Sequence, residues 1–531
     1  MVPMVSSVSV LPPPRYLYVL ALFSLLLPVY LANGYTPGNN DATANVRLAP
    51  QILEHGRWTF SPEESPFMFV WKLSLPDREI RARFHDWDDL IGGRTARSLR
   101  ESGALTLVLP KYYVVPTRQE GAYANTFGLG AGLLALPVAA ALKPFVSPLD
   151  GDPTVPWRIG KFVAAATVAG TAVFLFLAAL SWLTPSASFI LAMLFGLGTC
   201  AFSVSSQNLF QHGPAGLFLA MGTYFLIRKP AASFGLAGLA YTCAMACRPT
   251  CVLVVLVMVA WFAIRDRHAL LRFCLGALPV TLLLGIYGWH TFGDPFSVGQ
   301  SVVAGQVAMS KTGNPGIWQT PFLVGAAGLL LSPARGLLVY SPVVVVALWG
   351  MGRVWRDPVW TTLRPLTVAA VALFIPAALR FDWWGGWSYG YRPILESVVL
   401  LAFLAIPMVA WVQAKRWRLA MVGVLAAWSI GTQVLGAFAY DLRGWNGRRV
   451  YEVVDMAKDR RATYDDRPSA EQHAQRQGGY VQPRELNIDR PEYRYRLWSL
   501  GDNPISYYVR EWSRVRAQRQ SDAVRFMRED G

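Results

Sequence analysis

The sequence predicts an all-α polytopic membrane protein with about eleven transmembrane helices, a large first extracytoplasmic loop and a C-terminal extracytoplasmic tail. Three observations predict it. Of 531 residues, 53% are hydrophobic and only 15% are charged. Many apolar runs approach the ~20 residues that cross a bilayer as a helix. Short, strongly basic turns alternate with less basic ones, as the positive-inside rule requires.

Met1 to Pro14 is rich in Pro, Val and Ser, and a single Arg15 precedes the first apolar run, near 15–33. Leu31-Ala-Asn-Gly34 is a poor match to a small-residue cleavage site, so this run reads as an uncleaved signal anchor. A polar loop follows over 35–155. Inside it Thr126 to Lys143 is apolar but interrupted by Gly and Pro, which suits a segment lying along the interface. Further spans are expected near 158–182, 187–205, 213–228, 232–247, 250–264 and 269–289. A polar loop from His290 to Thr320 and a half-buried Gly-rich segment lead to the last four, near 336–352, 361–379, 393–412 and 418–439.

The chain thus divides into a membrane domain, 1–440, and a tail, 441–531. The tail is charged at first, with Arg460-Arg461 and Asp465-Asp466-Arg467, and then aromatic from Tyr493 to Tyr508. It reads as a loop segment docked on the outer surface and ending in an Arg-rich helix, Ile505 to Met527. Framing a substrate entrance and serving as a structural cover are equal alternatives for it.

Arg228-Lys229, Arg265-Asp-Arg267-His268, Arg353-Val-Trp-Arg356 and Lys415-Arg416-Trp-Arg418 place their turns in the cytoplasm. The N-terminus is then cytoplasmic, and Asp41 and the tail share the outer compartment. No inverted repeat relates the halves, which weighs against many transporter folds. The net charge of +16 would suggest nucleic acid in a soluble protein. Here the basic residues sit in short loops and the tail, where they meet anionic lipid and phosphate, so nucleic acid is not an expected partner. Cys243, Cys247 and Cys251 recur on one helical face, but Pro249 interrupts it and no His or acid joins them. They read as packing residues. The large polar segments contain no Cys and hence no disulfide framework, which suits a bacterial plasma-membrane protein.

Asp41 is the first carboxylate beyond the first span, nine positions after Ala32. Two readings stand side by side. Asp before Ala-Thr-Ala-Asn-Val is a good helix N-cap. An acid at the bilayer surface is also placed to take a proton from a hydroxyl attacking a membrane-anchored substrate; Glu54, Glu63 and Glu64 are less well placed. Arg248, Arg335 and Arg392 interrupt or border apolar segments, where a charge is costly without a partner or a task. Each suits a phosphate oxygen. The alternatives are snorkelling or carbonyl pairing for Arg248 and Arg335, and an i, i+4 salt bridge to Glu396 for Arg392. Tyr340 offers a further hydroxyl. His212, in Gln211-His-Gly-Pro214, either caps a helix start or meets a sugar or acceptor; Gln207 and Asn208 suit the same contact or interhelical hydrogen bonds. Trp383, Trp384 and Trp387 fall within five positions of a loop with two Gly, more than the interfacial belt around Trp289, Trp318, Tyr389 and Tyr391 needs. His85-Asp86-Trp-Asp88-Asp89 contains Asp-x-Asp, but without βα alternation around it a solvated loop is the better reading. No zinc spacing, phosphate-binding Gly loop or nucleophile motif is present.

Asn40-Asp41 after the first span, Ser206-Gln-Asn-Leu-Phe-Gln-His212-Gly-Pro214, Leu331-Ser-Pro-Ala-Arg335 through Tyr340-Ser-Pro342, and Trp383-Trp-Gly-Gly-Trp-Ser-Tyr-Gly-Tyr-Arg392-Pro occur in an order that resembles the GT-C superfamily. Those enzymes are polyprenyl-phosphate-sugar-dependent glycosyltransferases, and the likeness is to protein O-mannosyltransferases and aminoarabinose transferases over about residues 15–440. The resemblance implies a GT-C-like fold and an inverting transfer from a polyprenyl-phosphate-linked sugar donor, at the outer face, to an acceptor hydroxyl on protein, lipid or glycan. It casts Asp41 as general base, Arg392, Arg335, Arg248 and Tyr340 as phosphate or donor ligands, and His212, Gln207, Trp383, Trp384 and Trp387 as sugar or acceptor contacts, with membrane lipids as surroundings. No cofactor is implied, and a lone Asp41 suits a metal-free site, although some GT-C enzymes hold a divalent metal between paired acids. One departure stands out. Where relatives carry a Lys-Pro-Pro-type motif, this chain reads Tyr123-Ala-Asn-Thr-Phe-Gly, without a base. Two rivals remain: a cell-envelope glycan polymerase or ligase with a lipid-diphosphate donor, and a lipid or sugar transporter or flippase.

Overall fold

The computed structural model describes residues 15–34, 36, 39–74, 79–83, 101–102, 107–111, 113–228, 233–441, 444–455, 460–465, 467–477 and 479–515. It is mostly helical. Among the described residues, five helices are long and apolar enough to cross a bilayer: Thr154–Ala179, Arg267–Phe292, Pro358–Leu379, Arg392–Gln413 and Arg416–Ala439. The other apolar stretches are helical but shorter, among them Arg15–Leu31, Pro185–Gly198, Ser233–Cys247 and Pro249–Arg265.

Proline causes several of these breaks. It has no N–H to give the ladder and pushes the residue before it out of the helical region. Arg248 is accordingly extended before Pro249, between Ser233–Cys247 and Val252–Arg265. Ser341 interrupts Leu337–Tyr340 and Val345–Arg356 in the same way, before Pro342. The apolar segment 126–143 forms two short helices, Leu129–Leu133 and Leu136–Leu142.

Small residues set the closest helix contacts. Ser233–Cys247 packs on Arg267–Phe292 where Gly235, Gly238 and Gly276 meet, and a Cβ on Gly238 or Gly276 would overlap the facing backbone carbonyl. Close backbone approach of this kind is how helices associate where burial from water gives no drive. On the opposite face of Arg267–Phe292, Leu271, Leu275, Leu278 and Leu282 are exposed, a stripe fit for lipid chains. Arg392–Gln413 lies inside the bundle, with 78% of its most apolar stretch buried.

The polar segments depart from an all-α reading. In the first loop, helix Asn40–His55 is followed by an antiparallel sheet of Val70–Ser74 between Glu79–Arg83 and Leu107–Pro110. A hairpin then joins Val114–Pro116 to Tyr123–Asn125. The tail is likewise not a docked loop. Gly447–Asp455 is the central strand between Arg460–Tyr464 and Tyr480–Asn487, with helix Arg467–Gln477 packed on it. The β-branched and aromatic run Val450-Tyr-Glu-Val-Val suits a central strand, and Pro483 sits on an outer one, where its missing N–H is tolerated. Of the expected Arg-rich helix, Pro504–Arg510 is formed; residues 516–527 lie outside the described residues, as does His85 to Asp89. The expected polar loop 290–320 contains helix Gly299–Thr312.

Replacing Gly276 with Leu should separate these two helices and cost about 1–3 kcal/mol. A thermal-unfolding scan in detergent should show a lowered midpoint, whereas Gly423→Leu, at an open position, should leave it unchanged.

Candidate functional site

Asp41 lies in the first turn of helix Asn40–His55 but does not cap it. Asn39 does, its side-chain oxygen accepting from the Asp41 amide at 2.9 Å. This corrects the capping alternative and leaves the Asp41 carboxylate available. That carboxylate meets Arg392, whose Nη1 donates to Oδ2 at 2.6 Å. The salt bridge to Glu396 that stood as the alternative for Arg392 does not form; Glu396 meets His212 and Arg248 instead. Arg392 also donates from Nη2 to the Gly385 carbonyl at 2.8 Å and lies near the Phe210 ring, 5.5 Å from its centroid. The side chains are 13% exposed for Arg392 and 23% for Asp41, so the carboxylate keeps the more open face.

The turn behind Arg392 explains its placement. Gly385, Gly386 and Gly390 have φ of 72°, 64° and 58°, values that L side chains rarely adopt. They fold Trp383–Tyr391 back so that Gly385 faces the residue that Pro393 anchors at the next helix start; a Cβ on Gly385 would lie 2.7 Å from Pro393 Cγ.

Sequence reading missed Lys311 and Tyr113. Lys311, in the last turn of Gly299–Thr312, sits between Asp382 at 3.5 Å and Asp489 of the tail at 3.4 Å. Burial alone would lower its pKa, but the two carboxylates outweigh it and hold the ammonium above the usual lysine range. Tyr113 has φ 55°, a strained value for a bulky residue. Burial foremost, then Asp41, pushes its phenol up to about 12, so it is a neutral hydrogen-bonding group near pH 7. These residues left no sequence signal. Lys311 stood in an expected polar loop, and Tyr113 acquires its neighbours only through chain reversal.

The other expected ligands are arranged differently. Arg335 is fully buried. Its Nε donates to Trp384 O at 3.1 Å, Nη1 to Ala334 O at 2.8 Å, and Nη2 to Gly386 O at 3.3 Å and Asn446 Oδ1 at 2.6 Å. As placed it clamps the Trp-Gly-Gly-Trp turn to the tail, and its donors face protein. The Tyr340 hydroxyl is likewise turned inward, donating to Ala334 O at 3.0 Å. Arg248 meets Glu396 at 3.3 Å, His212 Nε2 at 3.1 Å and Pro393 O at 3.2 Å, while His212 Nδ1 lies 2.9 Å from Glu396. These three form a buried cluster beneath the Arg392–Pro393 turn. Gln207 accepts from Asn33 at 2.6 Å and from Lys161, and donates to Phe202 O and Ser206. Asn208 accepts from the Leu209 amide. Gln207 and Asn208 therefore make the interhelical and local bonds that stood as their alternative.

The tail closes the site from above. Trp384 Nε1 donates to Asp489 at 3.1 Å, Trp387 Nε1 to Asn487 at 3.2 Å, and Ser332 to Leu497 O at 2.5 Å. Trp383 packs over Gly328 and beside Trp498, with ring centroids 5.7 Å apart. The tail's own joint is Arg496, which donates to Asp502 at 2.7 Å, to Leu486 O at 2.5 Å, and lies over Trp445 at 4.5 Å. Chemically, this is a carboxylate and a guanidinium at one end of a bundle of apolar helices, with aromatic rings and a lysine–carboxylate cluster beside them. No protein-family model matches the chain, and no curated protein matches its sequence.

Arg335→Ala should cost on the order of 3 kcal/mol, because it strands several buried acceptors at once. Its signature is faster trypsin cleavage within 441–531. Asp502 gives a pH test. Burial opposes its ionisation, but the Arg496 hydrogen bonds and charge, with the Trp445 indole N–H, hold its carboxyl below the ordinary aspartate value. Its contribution is therefore complete above about pH 4 and is lost as pH falls through the lowered folded-state value. Tail protection from pepsin should fall with acid in the wild-type chain, and Asp502→Asn should be poorly protected already where the carboxylate of wild type is still ionised.

Proposed function

We propose that the chain is an integral-membrane glycosyltransferase of GT-C type that moves a sugar from a polyprenyl-phosphate donor to an acceptor hydroxyl, with inversion. The observation that supports this best is the Asp41–Arg392 pair. It brings a base and a phosphate ligand together from two segments that the resemblance had assigned to those two tasks. We further propose that the shorter apolar helices complete about eleven crossings, broken where proline enters. The site and tail would face outward from a bacterial plasma membrane, with the N-terminus in the cytoplasm.

The chemistry follows from charge. As the acceptor oxygen attacks the anomeric carbon, its proton passes to Asp41, and the bond from that carbon to the phosphate oxygen breaks. The leaving phosphate gains negative charge, which the fixed Arg392 guanidinium stabilises. Asp41 and Arg392 neutralise one another in their ion pair. A donor phosphate competing for Nη1 would release Oδ2 to act as base, so donor arrival itself arms the site. Arg335, without a carboxylate at ion-pair distance among the described residues, adds positive potential from behind the turn without touching the donor. Lys311, which acts electrostatically on Tyr113 as Asp41 does, is a further cation near the pair.

In nanodiscs with a polyprenyl-phosphate sugar, Asp41→Asn should lower donor consumption by ~10²–10⁴-fold while donor binding is kept. Arg392→Ala should lose the binding itself. Unchanged consumption in folded Asp41→Asn would overturn the reading, and a released lipid diphosphate would identify the polymerase or ligase rival.

A further inference from the structure

Next to the turn that holds Arg392 lies a cleft of about 430 Å³ that the Asp41–Arg392 pair does not line; its walls include Thr312, Gln319, Pro321, Val324, Arg494 and Leu497. Its volume is in the range of small-ligand sites. Three walls meet here: the aromatic turn, the tail, and the start of the apolar helix Phe322–Leu331. The ring faces of Trp383, Trp384, Trp498 and Phe381 suit the C–H faces of a sugar, and Thr and Gln groups supply polar edges.

Charge decides the kind of head group. Lys311 is paired with Asp382 and Asp489, and Arg380 with Asp382. Arg494 is the cleft's own cation. Its guanidinium lies over Trp384 at 4.9 Å, and Nη2 donates to Lys311 O and Asp489 O, while its buried Nε–H has no hydrogen-bond partner. One N–H seeking an acceptor, among rings and beside two carboxylates, suits a neutral hydroxyl better than a phosphate.

One wall continues onto lipid-facing surface. Next to Pro321 and Val324, Phe322 and Leu323 are exposed, and Trp498 and Leu500 form an exposed apolar rim opposite. An occupant with a polar head and a hydrocarbon tail matches both parts. Trp384 also joins the cleft to the turn that holds Arg392: it precedes Gly385, whose carbonyl accepts from Arg392 at 2.8 Å, and its own carbonyl accepts from Arg335.

Resting on the transferase reading, we propose that this cleft seats the carbohydrate head of a neutral glycolipid acceptor, with its chains running along Phe322–Leu331. The test uses the full chain in phosphatidylcholine nanodiscs with a photoactivatable glucosyl-diacylglycerol. Matched photoactivatable phosphatidylcholine and phosphatidylglycerol serve as the other arms, and adducts are mapped by mass spectrometry. The glycolipid should label Val324, Leu497 or Trp498 preferentially. Trp498→Ala should reduce that labelling about fivefold, the loss expected for one ring contact, and Trp498→Phe should restore most of it. Equal labelling by phosphatidylcholine, stronger labelling by phosphatidylglycerol, or adducts outside the cleft would each overturn the proposal. Donor consumption measured in the same nanodiscs separates this failure from failure of the transferase reading, which depends on Asp41 and not on the cleft.

Discussion

The ion pair between Asp41 and Arg392 joins residues 351 positions apart, and the polar end of the helical bundle is arranged around it. The segment after helix Arg15–Leu31 must fold into a helix with Asn39 as cap, so that the Asp41 carboxylate is left to Arg392. The loop before Arg392 must reverse twice through left-handed glycines. Neither partner is buried outright, which matters energetically. A fully buried pair pays a desolvation penalty that attraction barely offsets, whereas a part-open pair can exchange one partner for an incoming anion.

Around this pair, rigidity comes from charges that are buried and satisfied. Arg335 binds four acceptors from three segments and fixes the aromatic turn from behind. Arg248, His212 and Glu396 fix it from below through the Pro393 carbonyl. The tail sheet holds it from above through Asp489 and Asn487. Each cluster leaves the turn little freedom, and preorganised donors of this kind are what a charge-developing reaction uses. The cleft of aromatic rings beside the turn shares Trp384 with these clamps.

Where helices form was largely legible from apolar run length, although only five of them among the described residues reach spanning length. The break in the apolar segment at 126–143 was legible from its Gly and Pro residues, and the segment forms two short helices. Arg392 beside Asp41 was expected as a shared site through resemblance, not through spacing. What could not be read was tertiary. Nothing in the sequence distinguishes Arg335, which is satisfied by carbonyls, from Arg392, which meets a carboxylate, since both sit in short apolar-flanked turns. Glu396 is spaced for Arg392 by helix periodicity, yet chain reversal delivers Arg248 to it instead. The strands of the tail were hidden by charge: Arg448-Arg449 and Glu452 mask the alternation that Val450 and Val453 would otherwise show. Lys311 and Tyr113 carry no motif, and their importance lies only in what is folded against them.

The most direct test of the account is a cryo-electron-microscopy structure of the full chain in nanodiscs loaded with polyprenyl phosphate. The account predicts headgroup density at hydrogen-bond distance from the Arg392 guanidinium, with the Asp41 carboxylate released from it and turned toward open space. An Asp41–Arg392 pair still closed while the headgroup binds elsewhere would contradict it.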